Sequence, residues 1–449
     1  MKSTLRDYQL ETDVSLRAAF RAGHKRIMVQ SPTGSGKTKL AAHWVTNALE
    51  KGKRIAFLVP YISLIDQTCQ SFLDEGIKSF GVIQADHPWT DYSAPLQVCS
   101  IDTLAKQKIF PSMDVVIVDE AHRNSSHVFN WMNRGAVFLG LSATPWAKGL
   151  GKHYQHLIIS STTQELIDRK YLSPFRVFAP SCPDLEKLET TSSGDYNQEK
   201  LAKRADKPKL VASIVDTWLG KAKGLRTICY AVNCLHAQHI QAEFIKRGVT
   251  CAYIDAYTEL CDRDVIREDF HSGKVDVVCN VGTLTTGVDW DVRCIILARP
   301  TKSEMLFTQM IGRGLRTAEG KEHCLILDHS DTHNRLGFVT DIHHSSLDIG
   351  DEKAKSKASA PTPKICPQCQ YVKPLKTPIC PNCEFESEPH NTVTSSKGDL
   401  VEITGKKTFS TQEGEEIWAM LRYHAREKNY NLGWAYHTCI EMIGRKPRN

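Results

Sequence analysis

The sequence predicts an α/β fold with two doubly wound parallel-sheet units in tandem, followed by a small cysteine-rich module and a short, mainly helical tail. Short apolar runs alternate with longer amphipathic stretches, which is typical of strands connected by helices. The strand runs are continuously apolar, as expected when helices cover both faces of a sheet. The alternation occurs twice along the 449 residues, a length sufficient for two domains and a smaller module.

The two units are predicted from these runs in chain order. In the first unit the predicted strands are 26–30, 55–60, 96–102, 113–119 and 136–142, and the predicted helix is 37–49. In the second unit the predicted strands are 227–232, 250–254, 275–280, 294–298 and 324–328, and the helices are 235–247 and 303–316. The polar stretch 180–209 is expected to form surface insertions near the junction of the units.

Charge and cysteine content exclude few classes of function. The formal net charge is +6, which permits nucleic-acid binding but is equally consistent with solubility alone. The first residues do not resemble a secretion signal, and the chain lacks the run of about 18 apolar residues that a membrane span requires. We therefore expect a cytoplasmic protein without membrane contact, whose clustered cysteines bind metal instead of pairing as disulfides.

Residues 31–38 read SPTGSGKT and have the context of a phosphate-binding loop, because they follow a predicted strand and open a predicted helix. Gly34 and Gly36 would let backbone N–H groups face phosphates without a Cβ in the way. Lys37 should reach the β- and γ-phosphates, and the Thr38 hydroxyl should ligate Mg²⁺. The alternative is a glycine-rich turn with a chance lysine, which the agreement of strand, loop and helix disfavours.

Residues 115–122 read VVIVDEAH, an apolar strand that ends in two carboxylates. The carboxyl edge of an α/β sheet is where such folds hold their ligands. Asp119 would hold Mg²⁺ through its water shell, and Glu120 would accept the proton of the attacking water. The alternative is an ordinary strand end with solvated acids, which the phosphate-binding loop earlier in the chain disfavours.

Arg313 and Arg316 lie three residues apart in a predicted helix and would share one face of it. Two guanidinium groups on one face can enter a cleft and neutralise charge on a transferring phosphoryl group. Gln309, one turn earlier, could position the water or a phosphate. The alternative is a solvated basic face of the helix.

The pairs Cys366/Cys369 and Cys380/Cys383 form a C-x2-C-x10-C-x2-C pattern. Four thiolates in two knuckles close a tetrahedral structural zinc site, and so short a module depends on the metal for its folding energy. A redox role would need a thioredoxin-like context, and paired disulfides are not expected in a cytoplasmic chain. We predict one structural Zn²⁺.

Four segments together resemble motifs I, II, III and VI of the DEAD/DEAH helicases of superfamily 2, in the order and spacing of that family. They are SPTGSGKT at 31–38, VDEAH at 118–122, LSATP at 141–145 and QMIGRGLR at 309–316. The resemblance implies two RecA-like lobes with ATP in the cleft between them. The resemblance covers about residues 1–345 and implies an ATP-binding lobe at 1–165 and a helicase C-terminal lobe at 166–345. Composition and the cysteine pattern add a linker at 346–364, a zinc ribbon at 365–385 and a partly helical small domain at 386–449.

Looser matches complete the set of implied site residues. LRDYQ at 5–9 resembles the adenine-reading motif, 60–67 and 100–104 the strand-contacting motifs, and VGTLTTGVD at 281–289 motif V. The resemblance thus implies a cofactor-binding set of Arg6, Gln9, Thr33, Gly34, Ser35, Gly36, Lys37, Thr38, Gly287 and Asp289. The implied catalytic set is Lys37, Asp119, Glu120, Gln309, Arg313 and Arg316.

The stretch 281–330 with a cysteine module after it resembles most the RadD (YejH) group, which is associated with bacterial DNA repair and has phage-encoded relatives. The chain departs from that group at Trp290 and Asp291, where a small residue and proline are usual, and it is shorter. The resemblance implies an ATP- and Mg²⁺-dependent helicase or translocase in repair, recombination or replication. Its expected partners are single-stranded or forked DNA, in preference to RNA, and a single-stranded-DNA-binding protein or other repair or replication proteins.

Several features leave alternatives open. Ser142, Thr144 and His122 could couple ATP to lobe movement or could simply form polar turns at strand ends. The aromatic and basic residues of the tail could stack on unpaired bases, or its aromatics could form the core of a small helical domain. Two other functions also fit: an ATPase that remodels protein–DNA complexes without separating strands, or the motor subunit of a nuclease or restriction system.

Overall fold

The computed structural model describes residues 4–123, 125–191, 194–285, 289–350, 363–375, 377–386, 410–428, 430–443 and 446. Packing divides the chain into two compact units, Met1–Glu388 and Pro389–Asn449. No helix within these described ranges is long and apolar enough to cross a membrane.

The first lobe is built on a parallel sheet with seven strands among the described residues, in the order β3-β4-β2-β5-β6-β1-β7. Its strands are β1 Arg26–Gln30, β2 Ile55–Val59, β3 Gly81–Ile83, β4 Leu96–Ser100, β5 Val115–Val118, β6 Val137–Ser142 and β7 His156–Ile159. Its helices are α1 Asp7–Arg21, α2 Lys37–Leu49, α3 Ile65–Asp74, α4 Ile101–Gln107, α5 Ser126–Met132 and α6 Thr163–Asp168.

The second lobe contains a parallel sheet for which the described chain supplies six strands, in the order β10-β11-β9-β12-β13-β8. Its strands are β8 Phe175–Phe178, β9 Thr227–Tyr230, β10 Cys251–Ile254, β11 Val277–Asn280, β12 Cys294–Leu297 and β13 Cys324–Asp328. Its helices are α7 Gln198–Ala205, α8 Pro208–Lys221, α9 Cys234–Lys246, α10 Leu260–Ser272, α11 Glu304–Gly314 and α12 Thr332–Leu336.

Strand β2 shows why the continuously apolar runs form this architecture. Its side chains alternate between two separate cores, with Phe57 entering the cluster on one face of the sheet and Leu58 the cluster on the other. Both side chains are almost fully buried, and each contributes about 1.5–3 kcal/mol by leaving water. Strand β9 of the second lobe shows the same alternation, with Ile228 and Cys229 in separate cores. The predicted doubly wound fold is therefore confirmed for both lobes.

The cysteine module packs on the edge of the second sheet. Its strands β14 (Lys364–Ile365) and β15 (Val372–Lys373) pair antiparallel. The backbone N–H of Ala179, just after β8, donates to Gln370 O at 3.0 Å, and the rings of Phe178 and Tyr371 lie 5.4 Å apart. The module thus covers the exposed edge of β8, a common protection against unwanted strand pairing.

After β13 the chain returns to the first lobe through residues 338–350, a segment that we call the strap. The His344 ring stacks on Trp146 of the first lobe with centroids 4.4 Å apart. Asp348 accepts backbone hydrogen bonds from Gly149 at 3.0 Å and Gly151 at 2.8 Å. The predicted linker 346–364 therefore begins in residues that are fixed to the first lobe, while its part 351–362 lies outside the described residues.

The second unit is a helical hairpin made of α13 (Thr411–Glu427) and α14 (Leu432–Ile443). A capping box begins α13, because Ser410 and Glu413 each bond the other's backbone N–H. Trp418, Ala425, Ala435 and Cys439 form the small core of the hairpin. Outside this core, Trp434 and Met442 are 40% and 52% exposed.

The stretch 180–209 is more regular than predicted. It contains α7, which Asn197 caps by accepting from the N–H groups of Glu199 and Lys200, and the start of α8. Helix α7 was missed because its apolar positions are few in a highly charged sequence. Strands β3, β7 and β8 were also missed, as were helices α1, α3, α4, α5, α6, α8, α10 and α12.

Candidate active site

The phosphate-binding loop connects β1 to α2 at the carboxyl edge of the first sheet. Gly34 and Gly36 have φ of +81° and +80°, a left-handed conformation that glycine adopts without strain. The ammonium of Lys37 lies 3.4 Å from Ser31 O and 3.5 Å from Pro32 O. Burial lowers the pKa of Lys37, and the charges of Glu120 and Asp119 oppose that effect. The Lys37 cation therefore lies against carbonyls of its own loop and close to both carboxylates.

Ser31 stands where glycine is commoner in such loops, and its contacts give a structural reason. The Ser31 hydroxyl lies 2.7 Å from the Ser35 hydroxyl and 2.9 Å from that of Ser160. These contacts fix the back of the loop to the segment after β7, so the loop shape is set within the first lobe.

The N-terminus of α1 packs against the same loop. The Gln9 amide donates to Ser35 O and Gly36 O, both at 3.2 Å, and Gln9 is almost fully buried. The Arg6 guanidinium lies over the Tyr171 ring at 4.7 Å. Gln9 therefore braces the loop in this structure, and its predicted role as adenine contact stays a prediction.

The acidic pair follows β5, so it lies beside β6 and close to the loop after β1. Glu120 has φ of +45°, a strained conformation for a residue other than glycine, and such strain is concentrated at functional sites. Burial raises the pKa of Asp119, and repulsion from Glu120 adds to this shift. Burial acts the same way on Glu120, but the hydrogen bond from His122 and the charge of Lys37 outweigh it and lower that pKa.

His122 connects the acidic pair to the second lobe. Its Nδ1 lies 3.0 Å from Ser142 Oγ and 3.4 Å from Glu120 Oε2, and its Nε2 lies 3.2 Å from Gln309 Nε2. Gln309 also donates to Thr144 Oγ1 at 3.2 Å. The residues for which the sequence left two roles open thus form one network across the lobes.

The arginines of the second lobe reach the same site. Arg313 is buried on α11 and donates from Nε to Thr285 O at 3.0 Å. Arg316 forms an ion pair with Asp289 at 2.9 Å, and burial, with repulsion from Arg313, lowers its pKa to about 10. Helix α11 ends at Gly314, so the predicted helix 303–316 was too long and Arg316 lies just beyond it.

The two lobes touch across the phosphate-binding loop. A Cβ added at Gly312 would lie 2.5 Å from Thr33 Cβ, and one at Gly34 would lie 3.1 Å from Arg316 Cγ. The contact at Gly312 is too close for any side chain, while at Gly34 the left-handed φ of +81° also favours glycine. The lobes are therefore closed upon each other at the loop, with the arginines beside it.

The residues from both lobes line one cleft of about 480 Å³. Its size lies within the usual range for small-molecule sites, roughly 300–1,000 Å³. The predicted site residues that line the cleft are Arg6, Thr33, Gly34, Gly36, Lys37, Thr38, Asp119, Glu120, Asp289, Arg313 and Arg316. Gln9, Ser35 and Gln309 lie behind these residues, and Gly287 lies outside the described residues. Sequence reasoning missed Tyr171, which lines the cleft, because a lone aromatic residue in a polar stretch gives no signal.

Comparison with known families agrees with this geometry. Residues 2–147 match the family described as type III restriction enzyme, res subunit, and residues 206–318 match the helicase conserved C-terminal domain. The chain belongs to helicase superfamily 2. Its assignment to the RadD group within this superfamily stays a prediction.

Named relatives of this superfamily 2 protein come from phage and yeast. A "51.5 kDa protein" of a Lactococcus phage is 30% identical over 79% of this chain and 77% of its own length. The Saccharomyces cerevisiae protein named "Putative ATP-dependent helicase IRC3" is 26% identical over 72% of this chain. This chain spans about half, 51%, of the yeast protein.

Solved structures show the same fold at low sequence identity. "The fragment structure of a putative HsdR subunit of a type I restriction enzyme from Vibrio vulnificus YJ016" has a TM-score of 0.60 and 19% identity, over 77% of this chain and 69% of that chain. "ATP-dependent Type ISP restriction-modification enzyme LlaBIII bound to DNA" has a TM-score of 0.56 and 18% identity, over 74% of this chain and 28% of that chain.

The cysteine quartet of this superfamily 2 chain has the geometry of a metal site. The sulfur atoms of Cys366, Cys369, Cys380 and Cys383 all lie within 4.8 Å of one another. The Cys366–Cys383 and Cys369–Cys380 pairs are 3.7 and 3.6 Å apart. Thiolates about 2.3 Å from a tetrahedral ion lie roughly 3.8 Å from each other, so these four sulfur atoms could hold one ion.

Proposed function

We propose that this superfamily 2 chain hydrolyses ATP with Mg²⁺ and uses the hydrolysis to move along DNA. The observation that carries the proposal is the shared cleft. Lys37 and the acidic pair enter it from the first lobe, and Arg313 and Arg316 enter it from the second. Phosphoryl transfer requires chiefly a positioned nucleophile and compensation of charge, which these groups supply.

Each group of the cleft has a proposed role. The Thr38 hydroxyl and the Asp119 carboxylate are hard oxygen ligands of the kind that Mg²⁺ prefers, and the metal would supply further charge compensation at the phosphates. Lys37 binds the β- and γ-phosphates. Glu120, held in ionised form by His122 and Lys37, takes the proton of the attacking water.

A substitution that removes only the general base should affect ATP hydrolysis and not ATP binding. Glu120→Gln should retain ATP binding and lose most turnover, since general-base catalysis contributes roughly 10²–10⁴-fold. Turnover near that of the wild type would refute the assignment of Glu120.

The lobe contact at Thr33 and Gly312 explains how nucleic acid would stimulate turnover. Arginines of the second lobe reach the phosphates only when the lobes meet, so a strand that binds both lobes favours the competent state. DNA is the proposed substrate because relatives carry DNA in their names: this chain is 23% identical to "ATP-dependent DNA helicase MER3" of Saccharomyces cerevisiae and 22% identical to "DNA polymerase theta" of Caenorhabditis elegans. Single-stranded or forked DNA is the proposed form.

The test is the ATPase rate measured in parallel with single-stranded DNA, duplex DNA, forked DNA and RNA, together with strand displacement. Stimulation by single-stranded or forked DNA above RNA supports the proposal. No stimulation by any nucleic acid would contradict it. Stimulation without strand displacement would identify a translocase or remodelling ATPase.

A second candidate is the motor subunit of a restriction system. The supporting observations are the match of residues 2–147 to the res-subunit family and 22% identity to "Type I restriction enzyme EcoKI endonuclease subunit" of Escherichia coli, of which this chain spans 35%. In that role the chain would need a partner that supplies the nuclease. Purification of the tagged chain from its native host tests this, since a co-purifying nuclease subunit is required.

A further inference from the structure

The helical hairpin of the second unit carries an exposed aromatic platform, which we define as the rings of His424, Tyr430 and Trp434. The centroids of Tyr430 and Trp434 lie 5.1 Å apart, and those of His424 lie 6.2 and 6.0 Å from them. Tyr430 is 52% exposed and Trp434 is 40% exposed. The rings thus support each other and leave much of their surface to solvent.

The platform is distinct from the core of the hairpin. Trp418 is 8% exposed and its ring lies 6.2 Å from that of Tyr436. These two aromatic residues pack with Ala425, Ala435 and Cys439 where the helices meet. The core of the hairpin thus consists of other side chains, and Tyr430 and Trp434 lie outside it. The structure therefore separates the core aromatics from the exposed ones, a question that the sequence left open.

The charge around the platform favours an anionic partner. Glu413 lies in the first turn of α13, whereas Arg426 in its last turn and Lys428 at its C-cap lie beside the turn that leads to Tyr430. From residue 418 to 449 the sequence contains six basic residues (Arg422, Arg426, Lys428, Arg445, Lys446 and Arg448) and two acidic ones (Glu427 and Glu441), a difference of +4. Phosphates are the natural counterpart of these cations.

We propose that the aromatic platform binds single-stranded nucleic acid by stacking unpaired bases on Tyr430 and Trp434, while the neighbouring cations contact its phosphates. Aromatic rings beside basic side chains are the usual construction of sites that bind single strands without sequence preference. Duplex DNA does not fit, because its bases are already stacked on each other. The inference rests on the proposed function and adds to it a strand contact outside the ATP-binding lobes.

A strand contact of this kind acts on affinity for nucleic acid and leaves ATP chemistry unchanged. Losing one base–aromatic stack weakens binding by roughly 5- to 150-fold. The hairpin and the cleft belong to different compact units, so variants of the platform should retain the ATPase rate measured without nucleic acid.

The test uses the full-length chain and oligothymidylate at fixed salt, with the dissociation constant measured by fluorescence anisotropy and turnover measured in parallel. Trp434→Ala should weaken binding by at least about fivefold, whereas Trp434→Phe should stay near the wild type because it keeps a stacking ring. Met420→Ala is the matched control, since Met420 is 71% exposed on α13 but offers no ring. Thermal unfolding of each variant checks that the hairpin still folds.

Unchanged binding by Trp434→Ala would overturn the platform. Equal losses of affinity in Trp434→Ala and Met420→Ala would also overturn it and would indicate an apolar docking surface for a protein. An equal loss of affinity for duplex DNA in Trp434→Ala would overturn it as well. These results leave stimulation of the wild-type ATPase by nucleic acid intact. Failure of the proposed function would instead appear as a wild type that no nucleic acid stimulates, and the anisotropy measurement would still decide whether the platform binds single strands.

Discussion

The two lobes contribute to the cleft in different ways. In the first lobe, the phosphate-binding loop follows β1 and the acidic pair follows β5, two parallel strands with only β6 between them. Contacts such as Ser31 with Ser35 and Ser160 hold the loop from within that lobe. In the second lobe, the arginines lie at the end of α11 and enter the cleft only because Gly312 lets that helix approach Thr33. The first lobe's part of the cleft is therefore fixed by contacts within that lobe, whereas the second lobe's part depends on closure.

The largest loss of ATPase activity should follow a substitution in the phosphate-binding loop of the first lobe. Lys37→Ala should abolish measurable hydrolysis and weaken nucleotide binding, because the phosphates lose their main cation in every state of the lobes. ATPase assays and binding of a labelled nucleotide measure both effects, with exposed Lys51→Ala as the control. Turnover near the wild-type value would remove Lys37 from the site.

A substitution in the second lobe should lower turnover without lowering nucleotide affinity. Arg316→Ala should slow stimulated turnover by roughly 10³-fold or more, as for other arginine fingers, and should leave nucleotide affinity nearly unchanged. Turnover at saturating single-stranded DNA and nucleotide affinity should be compared with Arg267→Ala, which alters an exposed arginine on α10. Turnover within a fewfold of the wild type would place Arg316 among solvated surface charges.

The approach of the lobes can be tested without altering a charged group. Gly312→Ala places a Cβ against Thr33, and overpacking of about 1–3 kcal/mol should reduce the closed population and stimulated turnover by roughly 5- to 150-fold. The control is Gly220→Ala on α8, where an added Cβ meets nothing within 4 Å. Equal, wild-type rates for both variants would show that catalysis does not require this contact.

The smallest effect on the cleft should follow removal of the metal. Cys366→Ser should reduce the zinc content from one ion per chain to near zero, which elemental analysis would measure. Because the cysteine module covers β8, the second lobe should unfold at a lower temperature, while turnover without DNA should persist. Unchanged zinc content would contradict the zinc site, and complete loss of basal turnover would contradict the separation of the module from the cleft.

Sequence reasoning was most effective where chemistry depends on neighbours in the chain. The two tandem sheets, the phosphate-binding loop and the grouping of Cys366 to Cys383 follow from local patterns, because strand, turn and helix signals act over a few residues. The structure brings most of the predicted cofactor residues to one cleft, and their chemical roles stay predictions. The helix with Arg313 was also anticipated, although its end was placed two residues too far.

Contacts between distant segments were not predictable in this way. Tyr171 beneath Arg6, the bond between Ala179 and Gln370, and the strap stacked on Trp146 each join residues far apart in sequence. Such contacts depend on shape complementarity after folding, which has no periodic signature in a single chain. Helix α7 was missed for a local reason. Its sequence has few apolar positions, so it resembles a solvated loop.

The strap also changes how the lobes can move. In the described chain the lobes are joined by the segment between β7 and β8 and again by residues 338–350, which fasten near Trp146 and Gly149. Two connections restrict translation of the second lobe relative to the first. The least restricted movement is rotation about the line through both connections. We therefore expect the cleft to open by rotation of the second lobe about this line, which moves the arginines away from the phosphate-binding loop, and to close by the reverse rotation.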